Sequence, residues 1–159
     1  VGYGYKSQLV HIQGSGKNGA FTQKDYLVQV LEPYIQGFLN AFGAVLGPGK
    51  TPQFMEDGNS AHGHKSSTNM CARWRASKGI TLFPHPAISP DMNPIEKCWR
   101  WIKQALYRRN RQPTTEAEMV AAVLEEWEKI PQEWINGLIE KQEHWVHELV
   151  KRCGWSTPN

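Results

Sequence analysis

The stretch PQFMEDGNSAH, residues 52–62, decides how the chain is read. Its first half is short and apolar, the pattern of a strand, and it ends in Asp57-Gly58, a pair that favours tight turns. A strand running into such a turn puts Asp57 at its carboxyl end, where α/β sheets collect their ligands. Asn59 and His62 follow closely, so oxygen and nitrogen donors gather behind Asp57. The bland reading stands beside this one, because Asp-Gly makes turns without any chemistry.

Working outward, residues 8–13 (QLVHIQ) alternate as a strand, and the Gly-rich VGYGYKS before them reads as a hairpin turn. After the loop GSGKNG, apolar residues recur from Tyr26 through Leu31, Ile35 and Leu39 to Phe42 with helical period, and Pro33 predicts a kink or break. Residues 64–77 form a weaker helix and Ile80–Phe83 a second short strand. A connector with three prolines, HPAISPDMNP, ends in Asn93-Pro94, an N-cap followed by proline at the first helical position. That helix should reach about Arg109, Thr115-x-x-Glu118 caps the next, and Pro131 opens the last. Strands alternating with helices give an α/β class with helices appended. We therefore expect one domain over 1–159, an α/β core portion over 1–111 and a C-terminal helical part over 112–159.

With 159 residues, 40% hydrophobic and 21% charged, the composition is that of a globular domain and not of a disordered chain. No apolar run reaches the roughly 18 residues of a membrane span, and no secretion leader is visible. The chain begins with Val and not Met, which fits a fragment, a processed chain or a trimmed one. Its three cysteines, Cys71, Cys98 and Cys153, are odd in number and lack CxxC spacing, so a reducing compartment is expected. The net charge of +3 conceals an asymmetry. Residues 60–111 hold ten Lys/Arg against Asp91 and Glu96, and residues 112–159 hold four against nine acids. A basic middle points to a polyanion, nucleic acid above all. Equally, those cations could neutralise the acidic C-terminal segment within the fold.

Aspartate is confined to Asp25, Asp57 and Asp91. Asp25 opens a helix, where a carboxylate suits the dipole. Glu96 fits a capping box, Asn93-Pro94-Ile95-Glu96, and Asp91 lies close enough to serve the same dipole. His62 and His64 make an HxH pair with no second ligand cluster, a poor zinc site. Trp99 and Trp101 cannot both face one side of a helix, so one should be exposed or meet a partner.

Taken together, EDGNSAH, a short strand and SPDMNPIEKCWRWIKQ resemble the catalytic core of the DDE superfamily endonucleases, the mariner-type transposases. The resemblance places the second catalytic acid at Asp57, with His62 behind it, and the third at Glu96 of Ser89-Pro90-Asp91-Met92-Asn93-Pro94-Ile95-Glu96, with Trp99 following. Thirty-eight residues separate the two acids. The family's first catalytic Asp lies on a strand upstream of anything matched, and its N-terminal helix-turn-helix regions have no counterpart. The resemblance implies an RNase H-like mixed sheet flanked by helices, lacking its N-terminal strands and carrying extra C-terminal helices.

It also implies metal-dependent phosphodiester cleavage and strand transfer in DNA transposition, in a nucleus. Asp57 and Glu96 would face one another across a shallow cleft and share a two-metal site for Mg²⁺ or Mn²⁺. Asn59, His62, Asp91 and Asn93 would lie near it, and Lys97, Arg100, Lys103, Arg108, Arg109 and Arg111 would track DNA. Transposon ends and target DNA are the implied partners, with a homodimer in the transposition complex and no membrane. Short of one acid, the chain alone should cleave poorly or not at all. The rivals are a non-catalytic DNA-binding relic and an oligomerisation module built on the C-terminal helices.

Overall fold

The computed structural model describes residues 1–63, 66–83, 93–142, 147, 150 and 151. Asp91, His64 and Cys153, with most of the proline-rich connector, lie outside them, as do Trp145, Val146 and Leu149 of the last expected helical stripe. The chain divides into two compact units, one of residues 10–88 and one of residues 1–9 with 89–159.

Helices build the 10–88 unit. Helix α1 (Gln23–Tyr26) starts on a capping box: Thr22 Oγ1 accepts from the Asp25 amide at 3.2 Å, and the Thr22 amide donates to Asp25 Oδ2 at 2.9 Å. Of the expected kink or break at Pro33, the break does not occur. The helix instead widens to a π-helical segment, Leu27–Ile35, and continues as α2 (Gln36–Leu46). Proline lacks an N–H, and a local change of hydrogen-bond register is one way a helix can pass through it unbroken. Gly47, at φ 83°, ends α2. Helix α3 (Met70–Ser77) is capped by Asn69. Leu31, Ile35, Tyr26 and Cys71 form the core between these helices, with Phe54, Trp74 and Ile80 packed on its edge.

In the other unit, Asn93 Oδ1 accepts from the Ile95 amide at 3.2 Å and Pro94 opens α4 (Pro94–Tyr107), as the sequence predicts. Thr115 caps α5 (Glu116–Glu128), and α6 (Gln132–Glu140) follows Pro131. Cys98, Ile102, Trp127, Ile130 and Ile135 make the core. Both Trp99 and Trp101 are half-buried, because α4 packs against two helices and not one. Trp99 stacks on Trp127 of α5, with centroids 6.2 Å apart, and Trp101 meets Trp134 of α6 edge-on at 5.0 Å. Residues 1–9 strap this bundle. Lys6 Nζ donates to the carbonyls of Trp127, Glu128 and Ile130 at 3.0, 3.2 and 2.9 Å, placing a cation at the C-terminal end of α5.

The expectation of an RNase H-like mixed sheet is overturned. Among the described residues there are two isolated bridges, Gly2 with Tyr5 and Phe54 with Leu82, and no sheet. The reason is where the backbone groups go. In residues 8–13 the Gln13 N–H and C=O are both taken by the Gln29 side-chain amide, at 2.9 and 2.7 Å, a side chain standing where a strand would pair. The carbonyl of Ser7 is taken by the Trp127 indole at 2.9 Å. Residues 52–57 and 80–83 do meet, in parallel, but the ladder is a single rung: Phe83 N–H to Phe54 O at 2.8 Å. Pro52, with no N–H, cannot extend it. The first turn fares better, since Gly2 and Tyr5 exchange both backbone bonds around Gly4.

Candidate active site

Asp57 sits where the short Phe54 rung gives way to a turn, and its carboxylate organises that turn. Oδ1 accepts from the Asn59 amide at 3.0 Å, Asn59 Oδ1 in turn accepts from Ala61 N–H at 2.9 Å, and a 3-10 turn, Ser60–His62, follows. Gly63 closes it at φ 74°, a conformation that favours glycine. The chain is thereby turned back so that His62 Nδ1 lies 2.8 Å from Asp57 Oδ1 and 3.2 Å from the Asp57 carbonyl. The turn-forming role of Asp57 is real, yet it occupies one carboxylate oxygen and leaves the side chain 62% exposed.

Beneath the turn is a buried polar cluster whose members the sequence presents as unrelated. Glu56 points inward as Asp57 points out, following the alternation of extended backbone. Its carboxylate accepts from Tyr26 Oη at 2.6 Å and pairs with Arg75 Nη1 at 3.0 Å, with the Glu56 and Arg75 side chains 2% and 6% exposed. The same Arg75 Nη1 donates to the His62 carbonyl at 3.1 Å. The Tyr26 ring lies 4.3 Å from the His62 ring, centroid to centroid. Burial and the neighbouring Glu56 carboxylate push the Tyr26 hydroxyl far above its ordinary range, so it stays a donor. Arg75, one of the ten cations counted over residues 60–111, is thereby buried and paired within its own unit. Only the adjacency of Glu56 to Asp57 hinted at this cluster.

Asp25 is accounted for structurally. Its carboxylate accepts from Ser15 N–H at 3.0 Å and from Thr22 N–H and Oγ1, and those bonds, Ser15 first, hold its carboxyl well below the usual range. Cys71 and Cys98 are free, buried thiols pushed up by that burial.

Glu96 lies in the other unit, in the first turn of α4. Asn93 caps the helix through Ile95, and the Glu96 carboxylate makes no reciprocal bond to Asn93. It is exposed and has no hydrogen bond or ion pair among the described residues. Asn93 thus caps the helix through N2, and the capping box that could have explained Glu96 without chemistry is not formed. Arg100, Lys103 and Tyr107 follow at helical spacing on the same face, all exposed, Tyr107 by 86%.

The six expected DNA contacts separate into kinds. Arg109 bonds Glu125 and Glu126 of α5, each at 2.6 Å, and Arg111 reaches Glu118 at 3.2 Å. These two fulfil the bland alternative of cations neutralising the acidic segment. Lys97 is half-buried. Arg100, Lys103 and Arg108 are exposed and make no ion pair among the described residues.

As a metal-binding set, Asp57 and Glu96 suit a hard divalent ion in kind: both present exposed carboxylate oxygens to solvent. In number they fall short, for among the described residues no group of three His, Cys, Asp or Glu gathers as a metal site. Nor is any described helix long and apolar enough to cross a membrane.

Comparison with known proteins agrees with the motifs. The chain is 27% identical over 150 residues to the transposable element Tc3 transposase of Caenorhabditis elegans, covering 86% of this chain and 43% of that protein. It is 23% identical over 144 residues to the Tcb1 transposase of Caenorhabditis briggsae, covering 89% and 46%. The chain thus spans less than half the length of either relative. The profile of the DDE superfamily endonucleases matches residues 9–119, which include both Asp57 and Glu96. On that match the chain belongs to the DDE superfamily endonucleases, the nuclease family of transposases.

Proposed function

We propose that this chain is the nuclease portion of a DNA transposase, that Asp57 and Glu96 hold its divalent ions, and that the exposed face of α4 binds the DNA. The observation that carries the proposal is the state of Glu96: a carboxylate at a helix start, next to its cap, left exposed and unengaged among the described residues. Family membership supplies the reaction class.

Bound Mg²⁺ or Mn²⁺ would supply activation of a nucleophilic oxygen and neutralisation of charge on the phosphoryl group. The protein's own residues do the rest. Asp57 offers its second carboxylate oxygen while its first is fixed by Asn59. Glu96 is fixed by the α4 backbone, whose N-terminus Asn93 and Pro94 define. Arg100 and Lys103, one and two turns further along the same face, hold backbone phosphates of the DNA without reading its bases. The substrate would be transposon ends and target DNA in a nucleus, handled by a homodimer.

A second reading rests on the shortage of acids. With no group of three His, Cys, Asp or Glu gathered among the described residues, the chain would bind DNA and cleave it little. One experiment addresses both: nicking of supercoiled DNA with Mg²⁺ or Mn²⁺, by the 159-residue chain and by a longer transposase containing it. We expect weak or no nicking by the chain and divalent-dependent nicking by the longer protein, abolished by Asp57→Asn or Glu96→Gln. A longer protein that nicks as well with either substitution would overturn the assignment of that carboxylate. One that binds DNA and never nicks would establish the DNA-binding reading.

A further inference from the structure

We propose that Arg75 is a positioning residue for Asp57, acting through the two ends of the turn that presents it. The inference rests on Asp57 being a metal ligand. It begins with one atom. Arg75 Nη1 pairs with Glu56, the residue before Asp57, and donates to the carbonyl of His62, the residue that closes on Asp57. A single guanidinium nitrogen thus pins residues 56 and 62 together from below, and residues 57–60 between them lie exposed to solvent. His62, pinned by its carbonyl, brings Nδ1 to 2.8 Å from Asp57 Oδ1.

The turn's own bonds are all short in range, and the contacts that tie it to the helices lie at Ser60 and beyond or run through Arg75. Its internal bonds join the Asn59 amide and the His62 ring to Asp57, the Ala61 and His62 amides to Asn59 and the Gly63 amide to Ser60, and Asp57, Gly58, Asn59 and Ser60 are exposed. Exposed Asp and Asn turns exchange readily between local hydrogen-bonding patterns. An anchor from α3 on both flanks removes that freedom. The buried Glu56–Arg75 pair is costly to desolvate and is a weak source of net stability, which fits a role in specifying a conformation. Tyr26 shares Glu56, and Tyr26→Phe removes the hydroxyl bond to Glu56 while keeping a ring against His62, so it separates stability from positioning.

The test uses Mn²⁺ as the probe and the 159-residue chain. Paramagnetic broadening of the Asp57–His62 amide signals reads affinity at the turn, and thermal unfolding reads stability. Asp57→Asn should remove the broadening. Arg75→Met should weaken Mn²⁺ binding about tenfold or more, the range typical of lost outer-shell partners. Arg75→Lys should recover most of it, because the hold runs through one nitrogen that an ammonium can replace. Tyr26→Phe should lower the unfolding temperature and leave Mn²⁺ affinity unchanged. If Arg75→Met alone does not fold, Glu56→Gln with Arg75→Met removes the buried charge and the pin together and should show the same loss of affinity.

The proposal is overturned if Asp57→Asn removes the broadening but the Arg75 variants bind Mn²⁺ as the parent does. It is also overturned if affinity falls in Tyr26→Phe as it does in Arg75→Met, in step with stability. Broadening that survives Asp57→Asn would instead remove the metal-ligand reading itself, and this proposal with it.

Discussion

Asp57 and Glu96 are held by opposite strategies. Asp57 lies on an irregular turn, and a buried triad of Tyr26, Glu56 and Arg75 stands under it with His62 closing over the top. Glu96 lies on a fourteen-residue helix, where regular backbone geometry and a two-residue start signal fix its place. A loop carboxylate needs tertiary contacts to be held still, whereas a helix carboxylate inherits its position from the helix. The difference teaches that the two acids should fail in different ways when their surroundings are damaged.

The largest expected effect breaks the comparison on stability. Arg75→Ala leaves Glu56 buried without its cation, a change that costs about 3–5 kcal/mol. On the helix side, Asn93→Ala removes only a cap and should cost about 1 kcal/mol. Urea denaturation of the two variants measures this directly. Equal losses would mean that the Glu56–Arg75 pair is not buried as described, or that water reaches it.

The same contrast explains what was legible in the sequence. The α4 start was readable because Asn93-Pro94 is a local signal with a local mechanism, and the structure places the helix at Pro94 as expected. The Thr115 cap of α5 was readable for the same reason. The strands were not, because a strand exists only if something pairs with it. The alternation in residues 8–13 is present, yet Gln29, from the π-helical segment, takes the backbone groups of Gln13. Nothing in the spacing of Gln13 and Gln29 announces that. The sequence motif singled out Asp57, His62 and Glu96 as candidates, whereas Tyr26 and Arg75 could not be singled out, since they approach Glu56 from 30 and 19 residues away. Trp99 and Trp101 illustrate the intermediate case: helical period said that they diverge, and only tertiary structure supplied a helix on each side.

An intermediate effect sharpens the comparison between the two kinds of cation on and just after α4. Replacing Arg100, Lys103 and Arg108 with Gln should weaken DNA binding and reduce the slope of log K against log salt by about 2–3, if each meets a phosphate. Replacing Arg109 and Arg111 should change that slope far less, because both already face carboxylates. Fluorescence anisotropy with one duplex at several salt concentrations separates the sets. A larger slope change from Arg109 and Arg111 would show that their α5 partners release them to DNA.

The smallest expected effect concerns acid, and it rests on the α4–α5 side. Lys129 and Arg109 hold the Glu125 carboxyl at about 2, below its ordinary 4.5, and Arg109 and Lys129 also lower Glu126. Unfolding releases both carboxyls to ordinary values, so the unfolded chain binds protons that the folded chain refuses. The contribution of the cluster is therefore present above about pH 4.5 and is lost as pH falls towards 2. Glu125, Arg109 and Lys129 are partly open to solvent, so the effect should be modest and should shrink with added salt. Unfolding free energy followed from pH 6 to pH 2 in about 20 mM salt, by tryptophan fluorescence, should decline less steeply for Glu125→Gln with Glu126→Gln than for the parent. A double variant that declines just as steeply would assign the acid sensitivity elsewhere. Asp25 is then the group to examine, because its bonds to Ser15 and Thr22 give it the same sign of dependence in the 10–88 unit.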